Sequence, residues 1–317
     1  MLTKDFVLGI DTSNYTTSVA AIRRDDVIIN DLRKPLAVKQ GERGLRQSHA
    51  FFQHVGTLPA MIGEALDGKG DRFCAVSVST KPRPLESSYM PVFKAGENCG
   101  IIVSQALNLP LFRFSHQEGH IEAVKNSSGL KLKGDFICFH LSGGTCEILK
   151  VNGADIAIIG GSKDISYGQV LDRIGVLLGL PFPCGAEIDN IALAASGGRK
   201  VLTGIRVEGL HMNLSGIETQ AANIIKAGLA VQETAELIKD LLNNIYESLV
   251  KLIENAVTAT NMNDVLFIGG VSSSRFLYEK INGYFKNSGI NIEFGDQRLS
   301  ADNAVGIALL GGKSLWR

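Results

Sequence analysis

The sequence predicts an α/β fold: sheets covered by helices on both sides, duplicated into two lobes with a nucleotide cleft between them. Three observations carry this expectation. Apolar strand-like runs alternate with amphipathic helical stretches along all 317 residues, the pattern of layered α/β domains. The stretches "DFVLGIDTSNYTTSVAAI" and "GDFICFHLSGGTCEILKV" share one layout of strand, tight small-residue turn and strand, in separate halves of the chain. Helices follow each copy, and no low-complexity linker separates them.

Taken in order, "FVLGIDTS" is a buried-strand run, and "TSVAAIRRDDVIIN" a hairpin with its charged tip at RRDD. An amphipathic helix is expected from about Leu45 to Leu66, with Phe52, Val55 and Leu58 towards the core and His49 and His54 as ordinary members. "FCAVSVST" reads as a strand, "VFKAGENCGIIVSQALN" as a helix, and "LPLFRFS" as a short strand leading into the helix of "SHQEGHIEA". The second β-rich unit starts at "GDFICFHL", followed by helices in "YGQVLDRIGVLLGL" and "AEIDNIALAAS". A long helix from about Gln232 to Thr260 carries Leu237, Leu241, Ile245, Leu249, Leu252 and Ile253 on one stripe. "DVLFIGGVSSSRFLYEKI" is strand, Gly-Gly turn and helix, and "SADNAVGIALLGG" closes the chain as a helix. The lobes are expected at 1–114 and 115–295, with the terminal helix, about 296–317, packing back on the first.

Lys+Arg and Asp+Glu both number 32, so the formal net charge is zero. That argues against a protein that coats nucleic acid through bulk charge. The five cysteines are odd in number and form no CxxC; several lie in apolar strand-like runs. A reduced, cytoplasmic protein is the expectation. The first residues lack a signal-peptide core and no apolar run reaches membrane-spanning length, so no membrane association is expected.

Three small turns end strands: "GIDTSN", "LSGGT" and "IGGVSSS", the last holding Gly269 and Gly270. Their backbone N–H groups can converge on phosphate oxygens. None fits GxxxxGK[ST] or a well-placed GxGxxG, which disfavours P-loop and dinucleotide readings. In "SHQEGHIEA", His116 and His120 are four apart, hence stacked on one helix face. This spacing alone leaves a metal pair and two packed histidines both open. Glu118 stands one place later than HExxH requires, which disfavours a metalloprotease. Asp302 can cap the last helix, Asp172 can be a helix-surface charge, and Glu187 and Asp189 suit the first turn of their helix. His140 and His211 lack matching partners in the sequence.

In this order the motifs resemble the threonylcarbamoyl-transferase (TsaD-type, formerly glycoprotease) family over nearly the whole chain. "SHQEGHIEA" is similar to its NHxEGHxxA, and "LDRIGVLLGLPFPCGAEID" to its DKxAxLLGLxYPGGPxID. "SGIET" lies near the place of SGLKT, "IGGVSSSR" of GGVAANR, and "LSADNAVGIA" of CTDNAAMIA. The resemblance implies the fold of the actin, sugar-kinase and chaperone-ATPase superfamily. It implies that His116, His120 and Asp302 ligate one divalent metal, iron or zinc. The turn His140, Leu141, Ser142, Gly143 and Gly144, with Asp172, Gly185, Asp189, Gly269, Gly270 and Ser274, would bind an ATP/AMP-type nucleotide or acyl-adenylate. Ser274 falls where the family has Asn. The implied reaction moves a threonylcarbamoyl group from its adenylate to N6 of adenosine in tRNA, with partner proteins of a TsaB/TsaE-like complex.

The departures are concentrated in the chemistry. ETSCDET becomes "DTSNYTT", placing Tyr15 and Thr16 at acidic positions, and SGGHT becomes "SGGTC", with Thr145 replacing His. YPGGP becomes "FPCGA", and the GPGLxGAL loop becomes "KPRPLESSYMP" at 81–91. The pattern fits a divergent paralogue. Two alternatives therefore stand beside the family reaction: carbamoyl transfer to another acceptor, and a non-catalytic nucleotide-binding regulator.

Overall fold

Strand β1 (Phe6–Thr12) organises the first sheet, and all of its residues are buried. The computed structural model describes residues 4–13, 15–38, 45–153 and 155–316. β1 pairs antiparallel with β2 (Thr16–Arg23), which pairs antiparallel with β3 (Ile28–Pro35). Helix α1 (Gln47–Leu66) then leads to β4 (Phe73–Lys81), parallel to β1 on its other side. Helix α2 (Phe93–Ala106) leads to β5 (Leu111–Ser115), parallel to β4, and helix α3 (His116–Asn126) follows without a break. The order is β3-β2-β1-β4-β5.

The second sheet repeats this plan. Strands β6 (Asp135–Leu141), β7 (Cys146–Asn152) and β8 (Asp155–Ser162) form an antiparallel meander. Helices α4 (Tyr167–Leu177) and α5 (Gly185–Ala194) follow, then the short hairpin β9 (Val207–Glu208) and β10 (His211–Met212). After α6 (Ser215–Lys226) and α7 (Val231–Thr260), β11 (Asp264–Ile268) lies parallel to β6. Helix α8 (Arg275–Phe285), β12 (Asn291–Glu293) and the one-turn α9 (Gln297–Ser300) complete it. The last helix, α10 (Val305–Trp316), packs on α3, β1 and β4. A meander with two parallel strands added beside its first member thus occurs twice, as the repeat in the sequence predicted.

The two units comprise residues 1–127 with 301–317, and residues 128–300. The boundary expected at 114/115 lies after the histidine helix rather than before it, because α3 continues directly from β5 and packs against α10. The first unit has its core between the sheet and α1, where Phe6, Leu8 and Ile10 meet Leu58, Met61 and Ile62. The core of the second holds all six stripe residues of α7. Among the described residues no helix is long and apolar enough to cross a membrane.

Helix α1 faces the core differently from the expectation. Phe52 is 80% and Val55 47% exposed, while Ala50, His54, Leu58, Met61, Ile62 and Ala65 are buried. Apolar residues occupy both faces of this helix, so hydropathy alone cannot choose between them. A histidine takes the inward seat because it finds two hydrogen-bond partners there.

Two helices of the first unit cross backbone to backbone. A Cβ on Gly306 of α10 would collide with the Gly119 carbonyl of α3, and one on Gly119 would meet Ile307. By contrast, a Cβ on Gly63, in the outer half of α1, would touch nothing within 4 Å. Gly306→Ala should therefore cost about 1–3 kcal/mol through overpacking, and Gly63→Ala should add about 0.5–1 kcal/mol by restricting the unfolded chain. Urea midpoints of the two variants check this pair; a Gly306→Ala protein as stable as the wild type would contradict the crossing.

Candidate metal centre and glycine turns

Helix α3 begins with a capping box. The Ser115 hydroxyl accepts from Glu118 N at 3.2 Å, and the Glu118 carboxylate accepts from Ser115 N at 2.6 Å. The glutamate inside "SHQEGHIEA" is thus occupied in starting the helix. Gln117 N also donates to the Pro82 carbonyl at 3.0 Å, so the rewritten 81–91 loop still braces the first turn of α3. With the helix held, His116 and His120 stand one turn apart, ring centroids 4.4 Å from each other and planes at 85°. Their Nε2 atoms approach to 3.0 Å.

Asp302 completes the set. Its Oδ1 lies 3.2 Å from His120 Nε2 and 3.6 Å from His116 Nε2. The last helix is capped instead by Asn303, whose Oδ1 accepts from Val305 N at 3.0 Å and Gly306 N at 3.4 Å. The capping role considered for Asp302 therefore falls to its neighbour, and the Asp302 carboxylate turns to the histidines. One donor atom from each of His116, His120 and Asp302 lies within 4.8 Å of the others. Two imidazole nitrogens and a carboxylate oxygen so disposed could hold a divalent transition metal with positions left open.

Behind His116 lies a residue that sequence reasoning did not single out. Asp11, fully buried at the end of β1, places its oxygens 2.9 and 3.0 Å from His116 Nδ1. The Nδ1–H donates to this carboxylate, which leaves Nε2 aimed at Asp302 and His120. Metal-bound histidines are commonly oriented in this way. Burial alone would depress the His116 pKa, but Asp11 first and Asp302 second hold it up at about 10. Burial likewise opposes ionisation of Asp302, yet the two imidazoles keep it well below the usual carboxylate range.

Ser13, also missed, donates from Oγ to Asp302 Oδ2 at 2.5 Å. Asp11 and Ser13 both belong to the "GIDTSN" turn that had been read for phosphate binding. Their signal was the pair of short polar residues ending a wholly apolar strand. Tyr15, two residues on, is 46% exposed.

In the second unit the glycine turns converge in part. The β6–β7 turn is closed by Ser142 N to the Thr145 carbonyl at 2.8 Å and Thr145 N to Ser142 Oγ at 3.0 Å. His140 is buried in β6 just before it. The N-terminus of α4 sits on this turn: Ser166 Oγ donates to the Gly143 carbonyl at 2.7 Å, and a Cβ on Gly168 would strike the Gly143 Cα. Gly269, at φ +91°, presses on the Leu141 carbonyl, a position only glycine fills without strain. Added Cβ atoms at Gly143, Gly144, Gly185 and Gly270 would meet nothing within 4 Å, so these backbones are open to approach.

The acidic candidates hold helix starts. Half-buried Asp172 accepts from Cys184 N at 2.8 Å, next to Gly185; burial raises its pKa against that bond. Asp189 serves not its own helix but α8, accepting from Ser274 Oγ, from Arg275 N at 2.9 Å and from Phe276 N at 3.3 Å.

Residues 93–309 match the family model described as TsaD, tRNA N6-adenosine threonylcarbamoyltransferase. The chain belongs to this family. Among relatives of that name, the one from Neorickettsia sennetsu is 26% identical over 309 residues, covering 95% of this chain and 91% of the relative. The one from Thermus thermophilus is 28% identical over 316 residues, covering 98% and 92%. Component A of (R)-2-hydroxyglutaryl-CoA dehydratase from Acidaminococcus fermentans superposes with a TM-score of 0.57 at 14% identity, covering 98% of each chain. Full-length HypF reaches 0.64 at 12% identity, over 99% of this chain and 56% of that one. A ROK-family glucokinase from Streptomyces griseus gives 0.52 at 11%, over 96% and 98%. These likenesses establish the fold, that of the actin and sugar-kinase superfamily.

Two caps described above have measurable weight. Asn303→Ala should lower stability by about 1 kcal/mol, and Asp189→Ala, which strips several donors of a buried ionic acceptor, by about 2–3 kcal/mol. Urea unfolding of the two variants tests the assignment; equal and negligible losses would count against both caps.

Proposed function

We propose that this chain is a metal-dependent transferase that passes a threonylcarbamoyl group from its adenylate to N6 of adenosine in tRNA. The observation that carries the reading is the His116, His120 and Asp302 set, backed by Asp11, in a member of the TsaD family. A purely structural domain has little use for two imidazoles and two carboxylates gathered at this cost in desolvation. Their donor types fit iron or zinc. A divalent ion held by His116, His120 and Asp302 would supply Lewis acidity towards phosphate oxygens.

The protein's own contributions follow from its side chains and turns. Asp11 keeps the proton of His116 on Nδ1 and so fixes which nitrogen is presented. Ser13 holds the second oxygen of Asp302 and limits its rotation. The open backbone at Gly143 and Gly144 suits close approach of a phosphate or adenylate, with the N-terminus of α4 adjoining the same turn. Positioning the acyl-adenylate and the acceptor amine would account for much of the rate.

A second reading has support of its own. Tyr15, Thr16 and Thr145 stand at positions where the family pattern is acidic or histidine, and Tyr89 in the rewritten loop is 64% exposed. Carbamoyl transfer to a different acceptor, or nucleotide binding without turnover, would use the same fold and retained ligands.

Elemental analysis and calorimetric titration with an adenine nucleotide, with and without chelator, test the shared core. One equivalent of iron or zinc is expected, and His116→Ala or Asp302→Ala should lose it with the circular dichroism unchanged. Threonylcarbamoyl transfer from the adenylate to tRNA then separates the readings. Metal and nucleotide binding without transfer, and transfer restored by Tyr15→Asp with Thr16→Glu, would favour the second. A protein that holds no metal and no nucleotide would sink both.

A further inference from the structure

We propose that His54 is a positioning residue of the metal centre, acting through Ser13 on Asp302. The inference rests on the metal reading above. His54 lies in the middle of α1 and is completely buried. Its Nε2 is 2.7 Å from the Ser13 carbonyl oxygen, and its Nδ1 is 2.7 Å from Thr17 Oγ1.

The chemistry of these partners fixes the ring. A carbonyl oxygen only accepts, so Nε2 carries the proton and donates to Ser13. In the neutral ring Nδ1 is then the acceptor for the Thr17 hydroxyl. Burial lowers the His54 pKa, with the Ser13 carbonyl and the Asp11 charge opposing it, which favours that neutral form.

The ring therefore clamps both sides of the β1–β2 turn, one bond to each. Thr17 pairs in register with Thr12 at the edge of that turn. The Ser13 hydroxyl, on the residue whose carbonyl the ring holds, donates to Asp302. Thr12 is tied separately: its Oγ1 donates to the Val92 carbonyl at 3.3 Å and accepts from Gly96 N at 3.2 Å. Within the turn the Ser13 hydroxyl also accepts from Thr16 N at 3.3 Å and Tyr15 N at 3.5 Å, and His54 is the side chain that reaches Ser13 from helix α1. Its seat in the core is otherwise an unfavourable place for an imidazole, and an apolar side chain there would extend the surrounding cluster.

The test is a double-mutant cycle read by cobalt(II) affinity and by the visible spectrum of the bound ion. His54→Leu and Ser13→Ala should each weaken binding by roughly 10-fold, as loss of outer partners does at metal sites. The double variant should be no weaker than Ser13→Ala alone, because both changes break one relay. His54→Gln retains a donor for the Ser13 carbonyl, so it should bind within about three-fold of the wild type and share its spectrum. It also guards against a His54→Leu protein that fails to fold. Additive losses in the double variant, or a His54→Gln protein as impaired as His54→Leu, would overturn the relay. So would wild-type affinity in folded His54→Leu. A wild-type protein that takes up no cobalt would instead overturn the metal reading, and the relay with it.

Discussion

The candidate centre depends on one close approach: the crossing of α3 and α10 at Gly119 and Gly306. Helices separated by ordinary side chains pack with their axes 8–10 Å apart, roughly. Here the Gly119 carbonyl occupies space that a Cβ on residue 306 would need. That contact sets where residue 302 lies relative to the face of α3 that carries both histidines. Beside the crossing, Glu122 of α3 and Lys313 of α10 form a largely buried ion pair that ties the two helices together. Gly9 continues the pattern, since β1 must pass close beneath the start of α10 for Asp11 to reach His116.

The cost of this arrangement is electrostatic, and the partners divide it. A buried carboxylate is unfavourable unless its lone pairs are engaged. Asp11 gives both oxygens to one imidazole N–H, while Asp302 is shared among two imidazoles and the Ser13 hydroxyl. His116 and Asp302 each hold the other towards its charged form, against the effect of burial. The result is two imidazoles and two carboxylates gathered in one place, three of which form the donor set on which the proposed metal reading rests. The second unit uses carboxylates otherwise: Asp172, Asp189 and Asp240 are spent on backbone N–H groups that join one segment to the next.

Much of the fold was legible in the sequence, because a layout of strand, turn and strand followed by helices is a backbone pattern that local residue types specify. The duplication appeared as two similar eighteen-residue stretches and returned as two sheets that share a five-strand plan, to which the second adds β10 and β9 beyond β8. Spacing could identify His116 and His120 as neighbours, but not what lay opposite them. Asp302 entered through the family motif, not through its own surroundings, where capping was the simpler account; Asn303 does the capping. Asp11 and His54 were illegible for different reasons. Asp11 sits 105 residues from His116, and nothing local marks that pairing. His54 sits on a helix with apolar residues on both sides, so its inward orientation is decided by the hydroxyl and carbonyl that await it. Helix α4 came out shorter than its apolar run because Gly179, at φ +79°, turns the chain just beyond it.

The closure of the first unit by residues 301–317 imposes an order of events during synthesis. When a ribosome has made residues 1–300, Asp11, Ser13, His54 and both histidines of α3 have been joined into the chain, yet the aspartate that completes the set does not exist. The Ser13 to Asp302 bond spans 289 residues. Until then, the face of β1 and β4 that receives α10 also lacks its cover. Within the nascent chain the second unit can therefore be translated in full before the first one is finished. Any metal that the proposed centre takes would therefore find its full set of donors only once residue 302 has been made.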